Sequence, residues 1–448
     1  MDTRGYNEMM FSKRDLFRLL GPLIVEQILA VLVGMVDVVM VAAVGEAAVS
    51  GVALVDSISL LIIQLLAALA TGGAVVCAQY IGKQCPDEAC RAAGQLILIT
   101  AGCSFLFTAI ALLGNRGLLE LIFGNAEGAV LDNAATYFWL TALSYPFLAL
   151  YNSGAALFRS MGNSRVSMMA SLAMNGINIV GNAICIYGLH MGVEGVAIPT
   201  LLSRVFAAVL MMILVQHPEN VIRVTGISQL RPELSMIKKI LSVGVPSGLE
   251  SGMFQFGKLT LQSLVSTLGT ASIAGFAVAS NLVTLEYLAG NALGLGLITI
   301  VGQCVGADER EQARSYTKKL IGLNYVMLLI VCSVMAFGRD LIVGIYNLSP
   351  EAAGLAGSLI LVHSCAMVIW PPAFALPNTL RAGLDAKFTM VVSVFSMWVF
   401  RIGFAYLFVK VWNLGVMGVW YGMFIDWLFR AVLFIWRFRG FSARVRQV

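Results

Sequence analysis

"VLVGMVDVVMVAAVG", residues 31–45, decides the fold. Fourteen of its fifteen residues are apolar or glycine, and one acid, Asp37, stands in the middle. The run continues in both directions over 16–44, longer than the roughly 20 apolar residues a helix needs to cross a bilayer core. The whole chain has this character: of 448 residues, 59% are hydrophobic and 12% charged. That charged share is about half of what soluble proteins carry, too little to cover a water-facing surface. The composition therefore predicts an integral membrane protein.

Twelve apolar runs are long enough to span: 16–44, 50–78, 93–114, 134–157, 166–188, 193–216, 239–268, 273–304, 319–338, 356–379, 388–409 and 416–436. Several exceed 25 residues, which predicts tilt or protrusion from the bilayer. The lysines and arginines orient them. With the N-terminus inside, the inner segments hold 22 of the 29, from Arg4 to Arg446, the outer loops hold Arg116, Arg339 and Lys410, and four lie within spans. So strong an inside bias places both termini in the cytoplasm. It also accounts for the net charge of +5 without a nucleic-acid partner. The first run is too long for a cleavable signal and ends in no small-residue cleavage site.

Shifted by 224 residues, the chain matches itself. Pro22 meets Pro246, Glu26 meets Glu250, Gly45 meets Gly269, Gly51 meets Gly275, Gln79 meets Gln303 and Gly82 meets Gly306. Further on, "FRSMGNSR" (158–165) returns as "LRAGLDAK" (380–387), at an offset of 222. An even number of spans per repeat gives the halves the same orientation, so they are parallel repeats about an axis along the membrane normal. The expected fold is all-α: twelve transmembrane helices in two six-helix lobes, 1–216 and 239–448, around a central cleft. Between them, 217–238 reads as an amphipathic cytoplasmic linker. Such an architecture suits an alternating-access carrier.

Several chemistries find no motif. The eight cysteines form no CxxC and mostly sit in apolar runs, where they read as small hydrophobes. The three histidines form no HExxH, and "AQYIGKQ" lacks the glycine and hydroxyl of a phosphate loop. No enzyme and no resident cofactor is expected. "TGGA" (71–74) and "GNALGLG" (290–296) lie inside spans and read as close helix packing or bends, as do Pro22 and Pro246.

The order of four motifs is informative. "P-x3-EQ-x9-VDVVMVAAVGE" in the first span, "ALATGGAVVCAQYIGK" closing the second, "FRSMGNSR" after the fourth and "NGINIVGNAICIYG" in the fifth resemble the multidrug and toxic compound extrusion (MATE) family. The resemblance runs over essentially the whole chain. It implies a secondary antiporter of a bacterial cytoplasmic membrane, expelling organic cations and other amphipathic compounds against inward Na⁺ or H⁺. A monomer suffices, since one chain supplies both halves; membrane lipids are its other partners.

A charge at mid-helix costs roughly 3 kcal/mol on insertion scales, so intramembrane acids are functional candidates. A desolvated carboxylate at Asp37 binds Na⁺ or carries a proton. The resemblance adds Asn178 and Thr200, which match the family's fifth-helix asparagine and sixth-helix threonine. Asn178 and Asn182, four apart, share a helix face with which Asp37 can form one pocket. Asn182 stands where many relatives carry aspartate; its carbonyl can ligate Na⁺ but carries no proton, leaving Asp37 as the one titratable group. Eleven residues before Asp37, on nearly the same face, Glu26 serves as a second protonation step or pairs with Arg204. In the C-terminal half position 261 is leucine. Glu250, Gln255, Lys258, Gln262 and Glu286 are the substrate-cleft candidates there, with Lys258 placed to pair with either glutamate. Arg401 and Asp426 read as a structural ion pair, and Asp56 has no assigned partner. A lipid-linked oligosaccharide flippase of the same superfamily is the alternative. It would line its cavity with several basic residues, whereas only four lie in spans here.

Overall fold

The computed structural model describes residues 9–124, 127–225, 230–445 and 447–448, and of Val38 the backbone alone. Arg4, Arg446 and the 226–229 part of the expected linker lie outside the described residues. Every regular element among the described residues is helical. Counted by the turns between them, there are twelve passes: Lys13–Ala42, Glu46–Gly82, Pro86–Phe123, then Gly128–Leu143 with Tyr145–Ser160, Ser164–Gly188, Glu194–Val215, Leu234–Ser266, Thr270–Val283 with Leu288–Gly306, Arg310–Gly344, Pro350–Ile369 running on to Ala382, Ala386–Val411 and Gly415–Arg439. Among the described residues, ten helices are long and apolar enough to cross a membrane. The fourth pass is divided in two by a turn at Ser144, just before Pro146. The seventh has the length, 33 residues, but carries more polar side chains. At 1.5 Å per residue the 38-residue third pass is about 57 Å long, so its ends project well beyond a ~30 Å core.

Large apolar side chains point outward on these long passes: Leu113 is 91% exposed and Phe337 90%. Water would penalise that surface and lipid does not. The described part of 217–238 is a run of turns, and its last residues already belong to the seventh pass, which begins at Leu234.

By compactness the chain divides into two units. The N-terminal unit holds Lys13–Gly248 with Val448, and the C-terminal unit holds Leu249–Gln447 with residues 9–12. The division falls within the seventh pass because the first part of that helix is pressed against the second. A side chain on Gly72 would stand 2.5 Å from the Ile240 carbonyl and 2.7 Å from the Gly244 nitrogen. In the C-terminal unit, residues 9–12 are held on the ninth pass: the Phe11 N–H donates to the Tyr316 hydroxyl at 2.7 Å.

Backbone geometry repeats with the sequence. Gly45 and Gly269 precede the second and eighth passes with φ of 131° and 94°, a region that favours glycine. Gln84 and Asp308 take φ of 59° and 61°, each inside the same wound turn, closed by Cys85 N–H to Tyr80 O and Glu309 N–H to Cys304 O. His190 and Asn413 do so again, at an offset of 223. Gly51 and Gly275 both admit neighbouring backbone where a Cβ would meet an atom at 2.9 Å. The "TGGA" and "GNALGLG" glycines serve the same end, Gly73 against Leu96 and Gly290 against Trp370.

Candidate functional site

In the N-terminal unit the first pass packs on the fifth, and the fifth on the sixth. These three helices bring Asp37, Asn178, Asn182 and Thr200 together. The Asn182 amide donates to Asp37 Oδ1 at 3.1 Å and to Asn178 Oδ1 at 3.3 Å. Asn178 donates in turn to Thr200 Oγ1 at 3.0 Å, whose hydroxyl donates to the Val196 carbonyl at 2.9 Å. Direction is fixed by charge: Asn182 must turn its NH₂ to the Asp37 carboxylate, because carbonyl against carboxylate repels. Its own oxygen is then left without a hydrogen-bond partner although Asn182 is fully buried. A half-turn of the amide would set this oxygen beside the Asp37 carboxylate, a pair of hard oxygens suited to a cation.

Asp37, Asn178 and Thr200 open onto a cavity of about 420 Å³ that Asp56, Tyr137 and Arg204 also line. Sequence reasoning left Asp56 without a partner; the Tyr137 hydroxyl donates to it at 3.3 Å. Arg204 donates to Ser144 Oγ at 2.6 Å, in the break of the fourth pass. With two acids and one cation, the wall is net negative. Glu26 stands apart from this group. It lies 3.8 Å from Arg159 and accepts from Ser167 at 3.0 Å. The expected Glu26–Arg204 pair does not form, because the N-terminal half of the first pass lies beside the end of the fourth, where Arg159 sits.

The C-terminal unit has its own cavity, about 390 Å³, lined by Lys258, Gln262 and Arg401 among aromatic side chains. Tyr287, Trp370 and Phe374 form a stacked row, with centroids 5.9 and 5.4 Å apart. Lys258 pairs with neither glutamate; its ammonium lies 5.1 Å from the Phe254 ring centre. Glu250 is taken by Arg381 at 2.7 Å. Glu286, fully buried behind the wall, is 2.5 Å from both His363 Nδ1 and Ser364 Oγ. Gln255 is half-buried and does not line the cavity. Arg401 and Asp426 do approach, at 3.8 Å, but Arg430 holds Asp426 more closely, at 2.7 Å. Arg430 was missed although its spacing of four from Asp426 places both on one helix face.

Superposing the repeats by sequence relates the two cavities position by position. At an offset of 224, Gly34 corresponds to Lys258, Asp37 to Leu261 and Asp56 to Ser280. Within the fifth pass the offset moves from the 222 of "FRSMGNSR" to the 223 of the His190–Asn413 turn, and at 223 Asn178 corresponds to Arg401, Thr200 to Met423 and Arg204 to Trp427. All twelve residues line their cavities. The ion pairs also correspond: Glu26–Arg159 and Glu250–Arg381 occupy matched positions.

Comparison with known proteins agrees with this duplication. The MatE family model matches twice, over residues 22–184 and 246–407. An uncharacterized transporter, YisQ of Bacillus subtilis, is 26% identical over 447 residues, covering 95% of this chain and 94% of that protein. A probable multidrug resistance protein NorM of Thermotoga maritima is 24% identical over 429 residues, covering 94% and 91%. Among solved structures, an outward-facing multidrug resistance MATE family transporter superposes with a TM-score of 0.90 at 22% identity, covering 96% of each chain, which shows the fold. Matched along both halves, the chain belongs to the MatE family, the multidrug and toxic compound extrusion transporters, and is a membrane transporter rather than an enzyme.

Proposed function

We propose that the protein is a secondary antiporter of a bacterial cytoplasmic membrane, exporting organic cations and amphipathic drugs by alternating access in exchange for inward Na⁺ or H⁺. In this reading the lobes are 1–216 and 239–448, both termini are cytoplasmic and the monomer is the working unit. The coupling cation sits at Asp37, Asn182, Asn178 and Thr200. One observation carries the assignment: a continuous hydrogen-bonded chain runs from Asp37 to Thr200, with the Asn182 oxygen unsatisfied beside it.

Two occupants suit this chemistry. A proton on Asp37 removes the charge while Asn182 still donates to the other carboxyl oxygen. A Na⁺ favours a half-turn of the Asn182 amide, which brings its oxygen toward the ion and its NH₂ away. Either occupant neutralises a carboxylate held among apolar helices, and so biases which state of the carrier is populated. The flippase alternative has less support. Asp37 and Asp56 make the N-terminal cavity net negative, which repels phosphate, and similar proteins are named multidrug resistance proteins.

The deciding experiment is efflux of a fluorescent organic cation from proteoliposomes under an imposed Na⁺ or pH gradient, for wild type and Asp37→Asn. Efflux driven by one gradient and lost in the variant, at equal reconstituted protein, is the expected result. Undiminished coupled transport by Asp37→Asn would sink the assignment.

A further inference from the structure

We propose that the cavity of the C-terminal unit is a binding site for a flat aromatic compound bearing a carboxylate or sulfonate. The site stands on the cavity alone; only its use in transport rests on the antiporter reading. It adds aromatic anions to the organic cations proposed above.

The walls supply the aromatic half of the argument. Tyr287, Trp370 and Phe374 present a row of near-parallel rings, with interplanar angles of 10° and 19°, and Trp427 meets Phe374 edge-on. A row of rings offers stacking along its length, and about 390 Å³ lies at the lower end of small-molecule sites. An aromatic box by itself would also welcome an organic cation. This box already contains its cations. Lys258 and Arg401 lie 5.1 and 5.3 Å from the centre of the same Phe254 ring. A cationic guest would meet two like charges on ring faces already in use.

Charge bookkeeping gives the sign. None of the residues lining the cavity is acidic. Of the two fully buried carboxylates behind the wall, Asp426 is shared between Arg430 at 2.7 Å and Arg401 at 3.8 Å, and Glu286 is held by His363 and Ser364 at 2.5 Å. One carboxylate shared by two guanidinium groups leaves that cluster with a net positive charge, to which Lys258 adds, so the wall is net positive. Arg401 is 9% exposed and its Nε has no hydrogen-bond partner; the indole Nε1 of Trp427, 3% exposed, has none either. Both residues line the cavity, and a small side-chain rotation would turn these buried, unsatisfied N–H donors to an anionic oxygen.

The duplication shows the same inversion. At matched positions the N-terminal cavity has Asp37 and Asp56 where the C-terminal one has Leu261 and Ser280. It has Gly34 and Asn178 where the other has Lys258 and Arg401. All four differences make the C-terminal lining the more positive of the two. The fifth, Arg204 to Trp427, removes a cation and supplies an indole N–H.

The test is calorimetric titration of the protein in lipid nanodiscs, with no gradient imposed and empty nanodiscs subtracted. The probes share one ring system: 2-naphthoate, 2-naphthalenemethanol and 2-naphthyltrimethylammonium. Naphthoate should bind at least about tenfold more tightly than either analogue, as expected when one charge-assisted contact is gained. Lys258→Gln, a change at an exposed side chain, should erase most of that preference, with naphthoate losing far more affinity than the alcohol. Leu261→Asp should reverse it in favour of the ammonium compound. Equal or tighter binding of the ammonium compound to wild type, or naphthoate affinity unaffected by Lys258→Gln, overturns the proposal. Because no ion gradient enters the measurement, its result is independent of the efflux experiment.

Discussion

The two cavities occupy the same positions of one repeated fold and differ in almost every polar residue. The N-terminal one is a short polar chain around Asp37 with aliphatic neighbours. Its counterpart is a box of rings holding two cations. What the repeats keep is instead the framework: the wound turns at Gln84 and Asp308, the glycine contacts at Gly51 and Gly275, and the Glu–Arg pairs that tie the first pass to the end of the fourth and the seventh to the end of the tenth. Duplication fixed the scaffold twice and left each lining free to diverge. Position in the fold therefore says where a site is, and only the side chains say what it binds.

The largest effect that would break this contrast concerns the support of the C-terminal box. Asp426 is fully buried between Arg430 and Arg401. Asp426→Asn leaves two buried guanidinium groups without a counter-charge, a change that costs about 3–5 kcal/mol when one partner of a buried pair is removed. A lowered thermal-unfolding midpoint in detergent is expected, together with reduced naphthoate binding. An unchanged midpoint would mean that water reaches Arg401 and Arg430 and that the wall is not the dry surface described.

A smaller effect sharpens the N-terminal side. Asn182→Asp introduces a second acid about 3.1 Å from Asp37 Oδ1, where now an amide donates. Two carboxylates so close do not both ionise, and one of them keeps a proton near neutral pH. The variant should therefore respond more strongly to an imposed pH gradient than wild type does. If efflux by the variant follows the same gradient with the same slope, proton carriage does not pass through this pair.

How much of this was legible beforehand follows from the range of each signal. Twelve passes and the repeat could be read because hydropathy, inside-positive charge and glycine spacing are local and regular. The Asp37 group was legible in two steps: a lone acid in an apolar helix marked Asp37, and the family resemblance singled out Asn178 and Thr200, with Asn182 four residues on from Asn178. The aromatic box was not. Trp370, Trp420 and Trp427 come from the tenth and twelfth passes, and nothing in an apolar run tells a ring that faces lipid from one that faces a cavity. Partner choice was also hidden. Glu26 was set against Arg204 by depth along straight helices, whereas Arg159 lies just before the tight turn that closes the fourth pass. The repeat held that answer, since Arg159 and Arg381 match in "FRSMGNSR" and "LRAGLDAK".

That match frames the smallest expected effect. If Glu26 were a second protonation step, its counterpart Glu250 would have no reason to hold an arginine in the same way. Both acids do: Glu26 at 3.8 Å from Arg159 and Glu250 at 2.7 Å from Arg381, all four side chains between 12% and 18% exposed. A feature kept in both halves, while the cavity linings diverged, belongs to the scaffold. Glu26→Gln and Glu250→Gln should each lower the unfolding midpoint slightly, on the order of 1 kcal/mol for a partly exposed pair, with the shorter Glu250 pair losing more. Gradient-driven efflux by Glu26→Gln should keep its ion preference and at least about half its rate, because the group it pairs with lies outside the Asp37 chain. Loss of coupling in Glu26→Gln alone, with Glu250→Gln transporting normally, would break the symmetry argument and make Glu26 a step on the proton path.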